Sequence, residues 1–326
     1  MLTDSFGRLH NYLRISLTDN CNLRCSYCMP DEQYDFAAPQ ALMQPQEIAF
    51  LAKIFVNAGV NKIRLTGGEP LIRKDAAIII EQLAQLPVSL HITTNATRLH
   101  LFFDVLEKAG CKHLNISLDT LNAETFFLLT KRNQFAVVYQ NLLTALEKGF
   151  KVKLNVVVMK QVNFHELPAF IQLTKHWPLE VRFIEFMPFT GNGWHQQQVA
   201  TLQEIIDSLS AHFAIEAMPH IPNETAKQFK VANFKGSFAI ISTMSMPFCG
   251  DCNRLRLTAD GKLKNCLFSK EETDLLSALR KGLPVIPLIE QAIQTKAAAL
   301  GGQFSAVLSA VSPENIYNRS MIRIGG

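Results

Sequence analysis

Three cysteines near the amino terminus carry the most distinctive chemistry in this chain. Cys21, Cys25 and Cys28 are spaced CxxxCxxC and follow a strand-like run, Tyr12–Leu17. Three thiolates can ligate three irons of a 4Fe–4S cluster and leave the fourth iron open. A metal site needs such an open position when a cofactor or substrate must reach the metal, as in catalytic zinc sites. A zinc knuckle or three unrelated thiols is the alternative, and the spacing favours the open cluster.

A second group of three cysteines lies near the carboxyl terminus. Cys249 and Cys252 are followed by RLRLTADGKLKN and then Cys266. Asp260–Gly261 within that stretch predicts a two-residue hairpin turn between alternating strands. The hairpin returns Cys266 to the level of Cys252, so the spacing predicts one three-thiolate site. The alternative is a zinc site completed by a histidine, the nearest in sequence being His220.

The bulk composition narrows the class of protein. A chain of 326 residues with 48% hydrophobic residues is long enough for one large and one smaller domain. The net charge of +4 does not call for nucleic acid and suits an anionic small substrate. We expect no membrane span, no secretory signal and a cytoplasmic location. The seventh cysteine, Cys111, is expected in the core, and the nine histidines are expected to be ordinary residues.

Strand-like and helix-like segments alternate through the first two-thirds of the chain. Helical periodicity marks 45–59, 75–86, 99–110 and 134–149, and three of these segments end in Gly59, Gly110 and Gly149, typical of left-handed helix caps. The strand-like runs are Tyr12–Leu17, Lys62–Thr66, Leu90–Thr94, Leu114–Leu118, Val152–Met159 and Val181–Phe186. Six such units predict a parallel sheet with helices outside it. A partial barrel and an open doubly wound sheet both fit this alternation.

The positions of the unusual residues favour the barrel. Barrel enzymes place their chemistry at the carboxyl ends of the strands. Five markers fall at strand ends, and a sixth lies within strand five. In chain order they are Cys21–Cys28, GGEP at 67–70, TTN at 93–95, SLD at 117–119, Lys153 with Asn155, and Met187–Pro188. No GxGxxG follows the first strand, so a dinucleotide-binding sheet has little support.

These motifs, taken in order, resemble one family. The segments are GRLHNYLRISLTDNCNLRCSYCMP, RLTGGEPLIRKD, TTN, NISLDTL, KLNVVVM, VRFIEFMP, FCGDCNRLRLTADGKLKNCLF and a terminal IGG. The chain resembles the GTP 3′,8-cyclase family of molybdenum cofactor biosynthesis, within the radical SAM superfamily. The resemblance implies an α/β fold: a partial (β/α)6 TIM-type barrel over residues 4–225, then a carboxyl-terminal domain over 226–326 that carries a second iron–sulfur cluster.

The resemblance also implies the reaction and the cofactors. A radical generated from S-adenosyl-L-methionine removes a hydrogen from the ribose of GTP, and the product is (8S)-3′,8-cyclo-7,8-dihydroguanosine 5′-triphosphate. Two 4Fe–4S clusters are implied, held by the two cysteine groups. The expected S-adenosylmethionine contacts are Tyr27, Gly67, Gly68, Glu69, Ser117 and Met187. A tight turn at GGEP, and strand-end packing of Ser117 and Met187, are the alternatives for those residues.

Basic residues are expected to bind the nucleotide. The chain has no GxxxxGK[ST] loop, so side chains must hold the phosphates, and an arginine fork suits them. Arg254 and Arg256 are two apart and so share one strand face. The family's GTP contacts correspond to Arg14, Arg64, Thr93, Lys153, Arg254 and Arg256. Surface ion pairs are the alternative for the arginines, and Lys151 competes with Lys153 for its position.

The resemblance places the end of the chain in the active site. The expected catalytic residues are Arg14, Gly325 and Gly326, with Arg319 and Arg323 as further tail residues, whereas a frayed end is the alternative. Three residues depart from the family pattern, and they leave the geometry of their loops open: Asn20, Ala96 and Lys131.

The implied partners are GTP, an electron donor such as a flavodoxin or ferredoxin, and the next enzyme, cyclic pyranopterin monophosphate synthase. A homodimer is also expected. Two other classes of protein compete with this interpretation. One is a radical SAM enzyme that modifies peptides, and the other is a non-enzyme with two structural zinc sites that binds a macromolecule.

Overall fold

The computed structural model describes residues 1–29, 34–303 and 317–325. At its centre are six parallel strands, each paired with the next in chain order. They are β1 Tyr12–Ser16, β2 Lys62–Thr66, β3 Ser89–Thr94, β4 His113–Ser117, β5 Lys151–Val158 and β6 Glu180–Glu185. Each strand predicted from the sequence is confirmed to within one residue at either end.

The two faces of this sheet differ in chemistry because side chains alternate along a strand. In β1, Leu13 and Ile15 are fully buried on the face covered by helices, whereas Tyr12 and Arg14 line a cavity on the other face. The outer face is part of one continuous apolar core that contains Phe55. The sheet is therefore apolar outside and polar inside, so its inner face is available to a polar ligand.

Helices cover the outer face of the sheet. The first seven are α1 Pro45–Asn57, α2 Ala76–Ala84, α3 Phe103–Lys108, α4 Ala123–Thr130, α5 Phe135–Glu147, α6 Leu167–His176 and α7 Leu202–Ser210. Gly59, Gly110 and Gly149 follow α1, α3 and α5, with φ of 110°, 65° and 74°, respectively. These positive angles confirm the predicted glycine caps. In the described part of the chain, no helix is long and apolar enough to cross a membrane.

The carboxyl-terminal strands extend the same sheet at both edges. At the β6 edge lie β7 Ile215–Ala217, β8 Lys227–Val231 and β9 Ser237–Ile241; at the β1 edge lie β10 Arg254–Leu257, β11 Lys262–Lys264 and β12 Thr273–Asp274. The strands β9 and β10 run parallel to β6 and β1. The last helices are α8 Leu275–Arg280, α9 Ile286–Gln294 and α10 Met321–Ile324. The parallel core with outer helices confirms the predicted partial barrel.

The structure bears on two predictions about the second part of the chain, the domain division and the hairpin turn. The predicted division at residue 225 falls between β7 and β8, which pair with each other, so one sheet runs across it. The division stays a prediction. The hairpin of β10 and β11 is confirmed, but the predicted two-residue turn is wrong. Thr258 pairs with Lys262 through a backbone hydrogen bond, so the turn has three residues and ends at Gly261, with φ +70°.

Candidate active site

A cavity of about 560 Å³ lies against the polar inner face of the sheet. Its walls come from the central strands, from the segment 221–225 and from the second cysteine group, since Cys249 and Cys266 both line it. Five of the six residues expected to contact the nucleotide also line it: Arg14, Arg64, Lys153, Arg254 and Arg256. Long-range strand pairing thus brings together residues that are far apart in the chain. Arg14 and Arg256, which are 242 positions apart, are direct partners in the pairing of β1 with β10.

The cavity carries a strong excess of positive charge. Its basic lining residues are Arg14, Lys62, Arg64, Lys153, Arg182, Arg254 and Arg256. Within the described ranges, the one carboxylate in the lining is Glu224. Burial lowers the pKa of Arg14 well below its usual range, and the charge of Arg256 acts in the same direction. Burying several positive charges side by side costs free energy, and an anionic ligand would offset that cost. The cavity therefore favours an anionic ligand.

The register of three neighbouring strands creates the cationic centre. Arg14 is paired with Arg64 on one side and with Arg256 on the other, so the three arginines form one row across the sheet. Arg64 donates from Nε to the Tyr12 hydroxyl. Burial acts to raise the pKa of Tyr12, but the positive charges of Arg64 and Arg14 outweigh it and lower that pKa to about 7. A phenol with so low a pKa reports a strongly positive local field.

The other side of the cavity is an ion-pair network. Glu180 accepts from Arg182 and lies 3.3 Å from the Nζ of Lys153. Glu224 lies 3.2 Å from the second guanidinium nitrogen of Arg182. Burial lowers the pKa of Lys153, with the charge of Arg182 adding to the effect. Lys153 rather than Lys151 lines the cavity, which agrees with the sequence interpretation.

Two histidines and one threonine depart from the expectations. His91 and His113, which the sequence did not single out, line the cavity and stack with ring centroids 4.4 Å apart. They lack a motif and are brought together only by strand register. Thr93 is not part of the lining. Its hydroxyl accepts a hydrogen bond from the Arg64 guanidinium at 3.4 Å.

The first cysteine group lies in the loop after β1. The loop turns tightly at Cys25, whose carbonyl accepts from the backbone N–H groups of Cys28 and Met29 at 2.9 and 2.8 Å. Burial raises the pKa of Cys21 to about 11 and that of Cys28 to about 12. Burial likewise raises the pKa of Cys25, to which the charges of Asp119 and the two other thiolates contribute. Burial therefore disfavours free thiolates at all three positions.

A donor directed at one of these sulfurs suits a metal cluster. The Asn95 amide donates towards Cys21 Sγ at 3.7 Å and is held by the Asn22 side-chain oxygen at 3.0 Å. Hydrogen bonds to thiolate sulfur are a usual feature of iron–sulfur sites. Asn95 belongs to the TTN motif at the end of β3, and that motif is the one sign of this role in the sequence. The residues of this loop therefore fit a three-thiolate cluster.

The GGEP segment packs against the loop that carries the cysteines. A Cβ added to Gly68 would lie 2.3 Å from the Asn20 carbonyl oxygen, and one added to Gly67 would lie 2.7 Å from that of Thr18. The glycines thus allow two backbone segments to meet, whereas the sequence suggested an approach to a ligand. Glu69 is 1% exposed, and its carboxylate accepts from Leu71, Thr94 and Asn95. Burial raises the pKa of Glu69 to about 7.

The remaining expected cofactor contacts surround the same loop. The Tyr27 hydroxyl donates to Asp119 Oδ2 at 2.6 Å, and the other carboxylate oxygen accepts from the Val157 backbone. Burial raises the pKa of Asp119 to about 6. Ser117 is the last residue of β4, and Met187 lines the cavity just after β6. Their assignment to S-adenosylmethionine stays a prediction.

The second cysteine group receives hydrogen bonds from a segment that the sequence did not single out. The Leu300 N–H donates to Cys249 Sγ at 3.4 Å, and Lys296 donates to Cys252 Sγ at 3.6 Å. Burial acts to raise the pKa of Cys252, but the charges of Arg254 and Lys296 outweigh it and lower that pKa to about 6. These donors fit a cluster of thiolate ligands. In the parts of the chain that the structure describes, no three His, Cys, Asp or Glu side chains are grouped so as to hold a single metal ion.

The tail returns to the cavity wall. The backbone carbonyl of Gly325 accepts from Arg256 at 2.6 Å, and a Cβ at Gly325 would lie 2.7 Å from Thr66 Oγ1. Gly325 therefore lies at the carboxyl ends of β1 and β2, and its catalytic role stays a prediction; Gly326 lies outside the described residues. Arg319 pairs with Asp260 and Glu272, and Arg323 donates to the Asp35 carbonyl, so neither lines the cavity.

The three residues that depart from the family pattern, Asn20, Ala96 and Lys131, keep the backbone geometry of their loops. Ala96 and Lys131 both have positive φ, 60° and 56°, in the region that suits glycine. The loops thus keep a left-handed backbone although the residue is not glycine. Asn20 accepts from the Glu69 N–H through its carbonyl, a contact that does not depend on its side chain.

Comparison with known proteins shows the family of this chain. The Radical SAM superfamily matches residues 15–174, and the Molybdenum Cofactor Synthesis C family matches residues 179–301. The mitochondrial GTP 3′,8-cyclase of Arabidopsis thaliana is 45% identical over 100% of this chain and 84% of its own. The chain belongs to the GTP 3′,8-cyclase family. All six cysteines lie within the ranges that match the two family profiles.

Two further similar proteins are a longer relative of this GTP 3′,8-cyclase family member and a protein that shares its fold. Molybdenum cofactor biosynthesis protein 1 of Bos taurus is 45% identical over 99% of this chain, and the chain spans about half of that relative, 51%. Streptococcus suis SuiB has a TM-score of 0.60 at 15% identity, covering 90% of this chain and 67% of its own. That likeness shows the radical SAM fold alone.

Proposed function

We propose that this protein converts GTP to (8S)-3′,8-cyclo-7,8-dihydroguanosine 5′-triphosphate, the first step of molybdopterin biosynthesis. The observation that carries the proposal is the cavity, which joins a row of arginines to the second cysteine group. A nucleoside triphosphate combines several negative charges with a base, and this cavity offers guanidinium groups beside thiols. The family relationship supports the same substrate.

Membership of the radical SAM family implies one 4Fe–4S cluster and S-adenosylmethionine. We assign the cluster to Cys21, Cys25 and Cys28; with S-adenosylmethionine it supplies the radical that removes a hydrogen from the ribose. We assign a second 4Fe–4S cluster to Cys249, Cys252 and Cys266, two of which face the cavity. A cluster held by these cysteines would offer the base a site for coordination at the open iron, while the arginines of the same cavity would bind the phosphates.

The chain's own residues bind and orient the substrate. Arg14, Arg64 and Arg256 present charge in one row, and a charge-assisted hydrogen bond to an anion is worth about 1.5–3 kcal/mol. The Gly325 carbonyl fixes the Arg256 guanidinium at the end of that row, and Met321 of the same tail lines the cavity. The Lys153–Glu180–Arg182 network holds the opposite wall in place. Restricting GTP between these walls sets the ribose relative to the base.

The partners follow from the same reaction. An electron must be supplied, so we propose a flavodoxin or ferredoxin as donor, and the next enzyme as cyclic pyranopterin monophosphate synthase. A homodimer and a cytoplasmic location complete the proposal.

The direct test is an anaerobic assay with GTP, S-adenosylmethionine and dithionite. We expect the cyclic nucleotide and 5′-deoxyadenosine as products, and about eight irons per chain. Cys25→Ala should abolish both products. Cys252→Ala should lose the cyclic nucleotide but keep some 5′-deoxyadenosine. Cys111→Ala, which changes a buried thiol of the apolar core, is the matched control and should keep both. Zinc at either site, or equal loss of cleavage in both variants, would contradict the proposal.

A further inference from the structure

Lys296 is a buried lysine directly behind the second cysteine group. It follows α9 and is 3% exposed. Its Nζ donates to Cys252 Sγ at 3.6 Å and to the Arg254 carbonyl at 3.1 Å. No sequence motif marked this residue, and the role proposed for the cavity does not use it.

The charge of Lys296 has an unusual partner. In the described ranges, no carboxylate lies within ion-pair distance of its ammonium group. A buried cation without a compensating anion is costly. The anion available to it is the Cys252 thiolate, towards which the Arg254 guanidinium is also directed, at 3.9 Å. The cysteine group thus lies between the arginines of the cavity and one lysine behind it.

The amino terminus holds this lysine in place. Arg8 donates to the Ala297 and Ala298 carbonyls at 2.9 and 2.8 Å, and also to the Cys249 carbonyl at 2.9 Å. Arg8 itself is fixed by Asp4 at 2.6 Å. One side chain therefore ties the Lys296 segment to the cysteine loop, so the distance from Nζ to the sulfur does not depend on a flexible surface loop.

We propose that Lys296 sets the reduction potential of the second cluster by stabilising its reduced form. This inference rests on the proposed second cluster. When an external reductant supplies one electron, the cluster gains one negative charge, no bond breaks and Lys296 keeps its proton. A fixed cation and a hydrogen bond to a ligand sulfur both favour the more negative state. Lys296 thereby makes the cluster easier to reduce.

The test isolates the second cluster in the full-length chain. In a Cys21→Ala, Cys25→Ala, Cys28→Ala background, the potential is measured by dithionite titration with redox mediators, followed by electron paramagnetic resonance. Lys296→Met should weaken the reduced form at least tenfold, a shift of about 59 mV to more negative potential for one electron. Lys296→Arg, which keeps the cation, should remain near the parent value. An unchanged potential in Lys296→Met with four irons bound would overturn the inference.

Further variants separate the causes of failure. If the variant that lacks Cys21, Cys25 and Cys28 binds no iron, the proposed second cluster is wrong. This result is obtained before Lys296 is changed, so it is distinct from a failure of the inference about Lys296. If Lys296→Met loses its iron, Lys296→Gln is compared with Lys296→Arg; equal potentials would exclude a charge effect. If neither neutral variant binds iron while Lys296→Arg does, Lys296 acts in assembly, and the assignment to the potential is wrong. In the chain with all cysteines, Lys296→Met should leave the potential of the first cluster unchanged.

Discussion

The Arg256 guanidinium donates a hydrogen bond to the Gly325 carbonyl at 2.6 Å, joining strand β10 to the end of the chain. Around this contact, Ile324 packs with Phe189, Phe268 and Leu300 in a small apolar cluster. Met321 of the same segment lines the cavity, so the tail is part of its wall. The same arginine pairs with Arg14 across the sheet, so the position of the tail and that of the cationic row are coupled.

Gly325→Ala should displace the tail. The new Cβ would lie 2.7 Å from Thr66 Oγ1 and 2.9 Å from Ser16 Cβ, and φ is +86°. We expect GTP conversion to fall at least tenfold, equivalent to about 1.4 kcal/mol, with iron content and S-adenosylmethionine binding retained. Gly282→Ala is the matched control, because Gly282 has φ +69° and no atom near the added Cβ. Equal activity in both variants would show that the position of the tail does not affect the reaction.

Arg254→Ala should weaken GTP binding. The guanidinium lines the cavity and stacks on Phe248, 4.9 Å from the ring centroid. A lost charge-assisted contact of about 1.5–3 kcal/mol corresponds to a 10- to 100-fold weaker affinity by anaerobic titration calorimetry. Arg280→Ala serves as control, since Arg280 pairs with Glu47 on the surface. If both variants bind GTP as the parent does, Arg254 makes no contact with the nucleotide.

Lys131→Gly should stabilise the fold. Lys131 ends α4 in a left-handed conformation, with φ 56° and ψ 24°, and its side chain is exposed. A non-glycine residue in that conformation costs about 1 kcal/mol, partly offset by the greater chain entropy of glycine. We expect the free energy of unfolding to rise by about 0.5 kcal/mol in urea titrations. Lys131→Ala should give no gain; a similar gain there would point to the lysine charge instead.

The contribution of His10 to stability should be lost as the pH drops from about 6.5 to 4, whereas the raised pKa values of Glu69 and Asp119 act in the opposite direction. Burial lowers the pKa of His10 to about 4, and the charge of Lys296 adds to this, although the contact with Asp4 opposes it. Between these pH values the unfolded chain binds a proton that the folded chain excludes, so folding is favoured at higher pH. The full difference is about 3 kcal/mol.

The measurement compares urea unfolding of the parent and of His10→Gln across this pH range. Gln can keep a hydrogen bond to Asp4 but cannot titrate, so the slope of the free energy of unfolding between pH 6.5 and 4 should become smaller. Slopes that coincide would show that His10 is not the group responsible. His195, which is exposed, provides the control: His195→Gln should keep the parent slope.

Local patterns in the sequence determined the strands, the helix caps and the two cysteine groups. Alternation along a strand and the positive φ of a helix cap depend on residues a few positions apart, so β2 matches its predicted bounds and Gly149 its predicted cap. The cysteine spacing is equally local, because one loop or one hairpin brings each group together. One local prediction was wrong: the turn between β10 and β11 has three residues and not two.

Only the tertiary structure decided which residues share the cavity. Arg14 meets Arg256 because β10 pairs in parallel with β1 in one register, and a shift by one residue would turn the arginines to the other face. The pairing of β3 with β4 brings His91 and His113 together, and Thr93 contacts Arg64 without lining the cavity. Lys296 reaches Cys252 across 44 positions. Such contacts depend on the packing of the whole chain, since no periodic pattern links residues so far apart.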